Sequence, residues 1–442
     1  MTSISRRNTL RGGLAAASIL ALDPKRAAGQ TGFDWQRFKG RHIEVFLQKG
    51  PRADLLQQNQ KEFETLTGIS VGSEQIPEQQ QRQKFMIELG SGYPSFDVAS
   101  VNPAVSKRLL GKSKWFDDLR PYLKDASLTA PDFDFADFSK PSIDYATQSD
   151  GRMDMLMQNL DYQILYWNKE IFAAKGIACP DTHAALLAAA KALNDPAHGI
   201  AGMVARGMKN ANTPVWTNFL LGYGLDAIDP DLTMHTQSPE AIGAATLYQQ
   251  LLSAAGPVGV SGYNWYESQS VFMQGRAAMW MDACGFAQPL ENPAISRVVG
   301  KVGYGVFPAG PTRRASGLSA DALGITAKSA NKQPAWLYLQ WACGKTMMAR
   351  QLLGGYGAPP RQSAFVAARA DPAAKLSPAW LDCVVSSAGY AHPILPQIVA
   401  VTEFRDVFGI ALTNMIGGAD PASELKKATE AFIPVLQKSE KA

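Results

Sequence analysis

Four short stretches of this chain alternate aromatic and polar side chains: Asp161-Tyr162, Trp216-Thr217-Asn218, Asn264-Trp265-Tyr266-Glu267 and Trp280-Met281-Asp282. This mixture suits a polyhydroxylated ligand. Aromatic faces cover its C–H surfaces, while Asp, Asn, Gln and Arg pair its hydroxyls, each of which costs about 1–3 kcal/mol when buried without a partner. A single tryptophan is more often core than ligand platform, so the weight lies on the set of four. Two further polar candidates stand apart. Asp321 lies in the small-residue stretch 316–324, where a ligand can approach closely. Arg361 follows Pro359-Pro360, a stiff loop that aims its guanidinium at hydroxyls.

Catalytic and metal constellations are missing from the sequence. The five histidines (His42, His183, His198, His235 and His392) form no HxH or HExxH pattern and no Cys/His set. Gly317-Leu318-Ser319-Ala320-Asp321 fails the nucleophile-elbow pattern at its last position. Gly344-Lys345-Thr346 resembles the end of a phosphate loop, but Leu339 stands where its first glycine is required. Gly222-Tyr223-Gly224 lacks the third glycine of a dinucleotide fingerprint. No metal and no cofactor are expected, and binding is favoured over catalysis.

The elements that must position these residues alternate. Residues 42–48 read as a strand. Leu55, Leu56, Asn59, Phe63 and Leu66 then recur at helical spacing, with Gly68 as the stop. Residues 69–76 and 96–101 are strand-like, with a helix over 79–89 between them, so the first part is α/β with a largely parallel sheet. The pattern changes at Asn159, where residues 159–167 are extended and aromatic. Helices follow over 182–193 and 239–255, a strand over 302–307, a helix over 331–343, and a helical tail broken at Pro359-Pro360.

The first residues read as an address. Arg6-Arg7 precede a mildly apolar run, residues 12–22, that is too short to span a bilayer. Residues 1–29 are therefore read as a twin-arginine signal peptide for export to the periplasm. That segment carries five of the 43 basic and one of the 39 acidic residues, so the remainder has 38 of each and no net charge. This balance speaks against nucleic acid and anionic lipid as partners. Cys179, Cys284, Cys343 and Cys383 are far apart. An oxidising compartment permits disulfides, whereas folding before export favours buried free thiols, and both readings stand.

Several segments resemble the extracellular solute-binding proteins of ABC importers, the group that includes maltose, trehalose and polyol binders. They are Leu165-Tyr166-Trp167-Asn168-Lys169-Glu170 with Ala174-Lys175-Gly176-Ile177, Phe272-Met273-Gln274-Gly275-Arg276-Ala277-Ala278-Met279, residues 302–308, and Asn331-Lys332-Gln333-Pro334-Ala335-Trp336. Pro77-Glu78-Gln79-Gln80 with Arg82-Gln83 looks closest to sorbitol and mannitol binders. The resemblance implies two α/β lobes joined by hinge-crossing strands, with the ligand in the cleft between them. Crossings are expected near 157–161, 302–307 and 344–350. Lobe one then comprises residues 36–157 plus 307–345, and lobe two residues 158–303 plus 346–442. Ligands of such sheets lie beyond the carboxyl ends of strands, which adds Gln48 and Glu78. The expected ligand set is Gln48, Glu78, Asp161, Tyr162, Trp216, Asn218, Asn264, Trp265, Glu267, Asp282, Asp321 and Arg361. Asp282 also matches a position where the family often places ligand groups. The implied function is periplasmic capture, by a monomer, of a sugar or sugar alcohol and its delivery to the permease subunits. A polyamine or glycerol phosphate on the same fold, or a secreted carbohydrate-active enzyme, are the alternatives.

Overall fold

The computed structural model describes residues 32–371, 374 and 376–441, so the stretch read as an export signal lies outside them. Eight strands form the sheet: β1 His42–Gln48, β2 Ser70–Ile76, β3 Val98–Val101, β4 Leu156–Asn168, β5 Met279–Ala283, β6 Val302–Val306, β7 Ser316–Ile325 and β8 Ala391–Pro393. β1 runs parallel to both β2 and β3. Each of these three strands feeds a helix at its carboxyl end: Pro51–Thr67, Glu78–Ser91 and Pro103–Ser113. Pro51 and Pro103 sit in first turns, where a missing N–H costs no helical hydrogen bond. Gly68 closes the first helix at φ 67°, a left-handed conformation that glycine adopts without strain.

β4 is buried along its length except at Asp161 and Trp167, as a central strand covered on both faces should be. Residues 156–162 pair antiparallel with β7. Beyond them, β4 pairs with β5 on one edge and with β6 on the other. The β4–β7 ladder slips between Met157 and Asn159, a bulge of the kind that re-aims side chains next to functional sites. The far end of β7 pairs with β3, and β8 lies against its start. β4 and β7 thus tie the parallel half of the sheet to the β5–β4–β6 half.

Two expected crossings lie elsewhere. Residues 302–307 contain β6, which pairs with β4 alone, and the strand that reaches both halves is β7. Residues 344–350 belong to the helix Lys345–Leu353 and its Gly344 cap. Its Arg350 bonds Asn59 and Glu62, so this helix remains beside the first half. The 355–357 loop touches the turn after β5, and beyond the helix Gln362–Ala370 the chain passes to Pro378–Ala388, where Trp380 Nε1 donates to Cys284 O at 2.9 Å.

Two apolar cores result. One gathers around β1, β3 and one face of β4, with Ile164 and Tyr166 inside it. The other is helix-rich and takes Leu165 from the opposite face, as strand alternation dictates. Asn168, Thr182 and Ser238 cap the helices that open the second half. The four cysteines are unpaired, and Cys284, Cys343 and Cys383 are buried. Among the described residues no helix is long and apolar enough to cross a membrane.

Candidate functional site

Arg52 opens the helix that follows β1, and its guanidinium points to the junction of the two halves. It pairs with Asp321 of β7, and Nη1 donates to Tyr356 O at 3.2 Å. Asp321 lies opposite Asn159 in the ladder, and Asn159 Nδ2 donates to Asp161 Oδ2 at 2.8 Å. Asp161 Oδ1 is buried beside Gly285 and accepts no well-formed hydrogen bond. Burial and the nearby Asp321 raise the Asp161 pKa above the usual carboxylate range, with Arg52, Asn159 and the Gly285 backbone pulling the other way. For Arg52, burial opposes the charge, but Asp321 and Asp161 outweigh it and hold its pKa above the ordinary value.

Two glycines make this junction. Gly357 has φ 119°, and a Cβ there would lie 2.1 Å from Asn159 Oδ1 and 3.3 Å from Arg52 Nη1. A Cβ on Gly285 would lie 2.5 Å from Asp161 Oδ1 and 3.5 Å from Gly357 Cα. Only glycine lets the turn after β5 and the 355–357 loop converge on Asp161. Beside them, a cavity of about 40 Å³ is lined by Gln48, Arg52, Ser100, Gln158 and Asp321 among others.

The same turn after β5 carries Phe286, which begins an aromatic tier. Phe286 stacks on Trp265 (4.9 Å, 12°) and on Trp280 (6.1 Å, 16°). Tyr266 stands edge-on to Trp265. The Arg206 guanidinium lies over the Phe286 ring, 6.0 Å from its centroid, and grips Asp282 through Nε and Nη2, at 2.9 and 2.5 Å. Trp265 is 37% exposed and Asp282 1%, so the indole faces outward while the carboxylate acts through Arg206.

Of the expected ligand set, Gln48, Asp161 and Asp321 meet at the junction, with Trp265 and Asp282 in the adjoining tier. Glu78 begins its helix, but its side chain lies outside the described residues. Tyr162 is 3% exposed and belongs to the first core. Trp216 and Asn218 lie within a helix and face the core. They sit inside Thr213–Gly222, which is buried throughout. Trp216 stacks on Phe408 and donates to Ala241 O, and Asn218 Oδ1 accepts from Gly317 N. Asn264 and Glu267 form a capping box for the helix Trp265–Met273, in which Asn264 Oδ1 and Glu267 Oε2 accept from backbone N–H groups. Arg361 is fully buried between Phe133 and Phe138 and donates to Cys343 O, Asp134 O, Phe133 O and Asp137. It is a structural lock and not a ligand group.

Sequence reasoning missed Arg52, Asn159, Arg206 and Phe286. Arg52 carried a usable signal, since Gly50-Pro51 places it directly past the carboxyl end of β1. Arg206, 76 residues from Asp282, carried none.

A two-halved α/β molecule with a polar junction between its halves is the architecture of a solute-binding protein. The chain belongs to the bacterial extracellular solute-binding protein family, whose model matches residues 49–349. It is 28% identical over 461 aligned residues to an erythritol/L-threitol-binding protein of Mycolicibacterium smegmatis, covering 96% of this chain and 95% of that one. It is 24% identical to a probable amino-acid ABC transporter periplasmic-binding protein of Sinorhizobium fredii, covering 97% and 98%. The crystal structure of an ABC transporter solute-binding protein from Agrobacterium radiobacter in complex with ribitol superimposes with a TM-score of 0.78 at 25% identity, covering 88% of this chain and 97% of that one. The fold is the two-lobed one of periplasmic solute-binding proteins. Family and neighbours are binding proteins rather than enzymes.

Proposed function

We propose that this protein is the exported, monomeric binding component of an ABC importer, and that it captures a small linear polyol and delivers it to the permease subunits. The observation that carries this reading is the junction itself. Arg52, Asp321, Asn159 and Asp161 form one array of fixed donors and acceptors, and the Trp265–Phe286 tier adjoins it through the Cys284–Phe286 turn. Such an array pairs hydroxyls, and an indole face covers the carbon chain between them. The relatives that bind erythritol, threitol and ribitol support the same class.

In this reading β4 and β7 are the hinge. Lobe one comprises residues 32–157 and 322–370, and lobe two residues 162–315 and 378–441. Export proceeds through the twin-arginine route. Replacing Arg6 and Arg7 together by Lys should leave precursor in the cytoplasm, and normal periplasmic accumulation would count against that route.

The ligand class is tested by thermal shift and calorimetry with erythritol, L-threitol, ribitol, D-mannitol, maltose, putrescine, glycerol 3-phosphate and a mixture of amino acids. A polyol near a hundred times its Kd should add about 2.7 kcal/mol of stability. Stabilisation by an amino acid with none by any polyol would replace this reading with that of the Sinorhizobium relative.

A further inference from the structure

We propose that the cleft rejects anionic congeners of its ligand, such as the aldonic acid made by oxidising one end of a polyol, and that Asp161 is the residue that discriminates. The inference rests on the polyol reading above and concerns the charge that the same site tolerates. Its basis is how the site's charges are already committed. Arg206 is held bidentately by Asp282, and Arg52 is paired with Asp321 through Nη2 alone. Asp161 is then a further carboxylate beside Arg52, whose guanidinium is already paired with Asp321. Its own partner is neutral Asn159, and its Oδ1 is buried beside Gly285. The remaining cation at the cavity is Lys49, which is exposed at the edge, where solvent screens it.

A ligand hydroxyl meets this arrangement well. It donates to Asp161 Oδ1 and satisfies a buried acceptor. A ligand carboxylate cannot donate. The cations it could reach are already neutralised by Asp321 or Asp282, and beside Arg52 it must also sit against Asp161. Like charges brought together in a water-poor site are a repulsive device for specificity, and they act without any loss of contacts to the neutral ligand.

The test is calorimetry on the mature chain at pH 7.5 with two matched pairs, erythritol against erythronate and D-mannitol against D-mannonate. For the pair whose polyol binds, the aldonate should bind at least tenfold more weakly. Asp161→Asn should narrow that gap at least fivefold by strengthening the aldonate relative to the polyol. An aldonate within tenfold of its polyol in the wild type would overturn the inference alone. A ratio left unchanged by Asp161→Asn would overturn the assignment to Asp161. If that variant does not fold, Asp161→Ser carries the same comparison. Absence of binding by either polyol would overturn the parent reading, and this inference with it.

Discussion

Arg361 and Trp265 show how residues of the same apparent promise divide once folded. Both are large, and both stand where a ligand group would be useful. Arg361 is sealed between Phe133 and Phe138, and its partners lie more than 200 residues away along the chain, apart from Cys343. Arg361→Met leaves Asp137 with Ser363 as its remaining partner, and breaking a buried ion pair costs about 3–5 kcal/mol. The variant should melt early and, where folded, bind a polyol within twofold of wild type. Trp265→Ala should do the opposite. It removes a partly exposed indole from the Phe286 stack, so the melting temperature should move little while polyol affinity falls at least tenfold, about 1.4 kcal/mol. Normal affinity in Trp265→Ala would remove the aromatic tier from the site. Trp265 and Asp282 are expected in the ligand set because aromatic and acidic types recur together, and the structure sets both beside Phe286 and its Arg206 neighbour. Trp216 has the same local look and is core, because its surroundings, Phe404 and Phe408, come from the far end of the sequence. Arg206 was illegible for the same reason.

Elements were easier to read than residues wherever their signal is local. The alternation in β1 and the Gly68 stop predict their strand and helix boundaries closely. β7 escaped because its residues are small and lack β-branching outside Ile325. The structure supplies the reason: a Cβ on Gly317 would lie 2.5 Å from Asn218 Oδ1, and one on Gly324 2.2 Å from Phe116. Close packing, not strand propensity, decides that strand. The family resemblance points to β6 as a crossing, whereas β7 is the strand that pairs with both halves. The helix Trp265–Met273 is a different case, since Asn264 and Glu267 stand three apart, the spacing of a capping box, and could have been read as one. Asn264→Ala should therefore destabilise the protein by about 1 kcal/mol through the lost cap. Its effect on polyol affinity should stay below that of Trp265→Ala, because the Asn264 side chain serves the helix. A larger loss of binding than of stability would return Asn264 to the ligand set. The measurement is a denaturant midpoint alongside calorimetry.

At the scale of the molecule, stability and closure have separate physical handles. His183 is buried among Phe219, Tyr223 and Phe307, and neither ring nitrogen makes a hydrogen bond among the described residues. Burial pushes its pKa down from 6.5 to about 4. The unfolded chain therefore takes up a proton near pH 6.5 that the folded chain refuses until about pH 4. Stability present above pH 6.5 is lost as pH falls through that window, by up to about 3 kcal/mol. His183→Phe should flatten this loss in denaturant midpoints measured from pH 7 to 4, and parallel curves for the two proteins would refute it. The two-halved plan was legible because the pattern change at Asn159 falls within β4, the strand shared by both halves. The return path was not, because the helices after Gly344 carry no mark of the half they pack on. Closure is tested by size. The cavity beside Arg52 is small, about 40 Å³, and opens to solvent on one side. In the proposed hinge reading, closure is favoured only by the contacts that the closed form adds. Those contacts converge at Gly285, Gly357, Asn159 and Arg52, which come from separate segments on both sides of the hinge. Small-angle scattering should give a larger radius of gyration without ligand than with a saturating polyol. The saturated value should approach that calculated from the structure, allowing for the space the ligand takes. Equal radii, with binding established by calorimetry, would mean that the junction admits its ligand by local movement of Arg52 and not by a hinge.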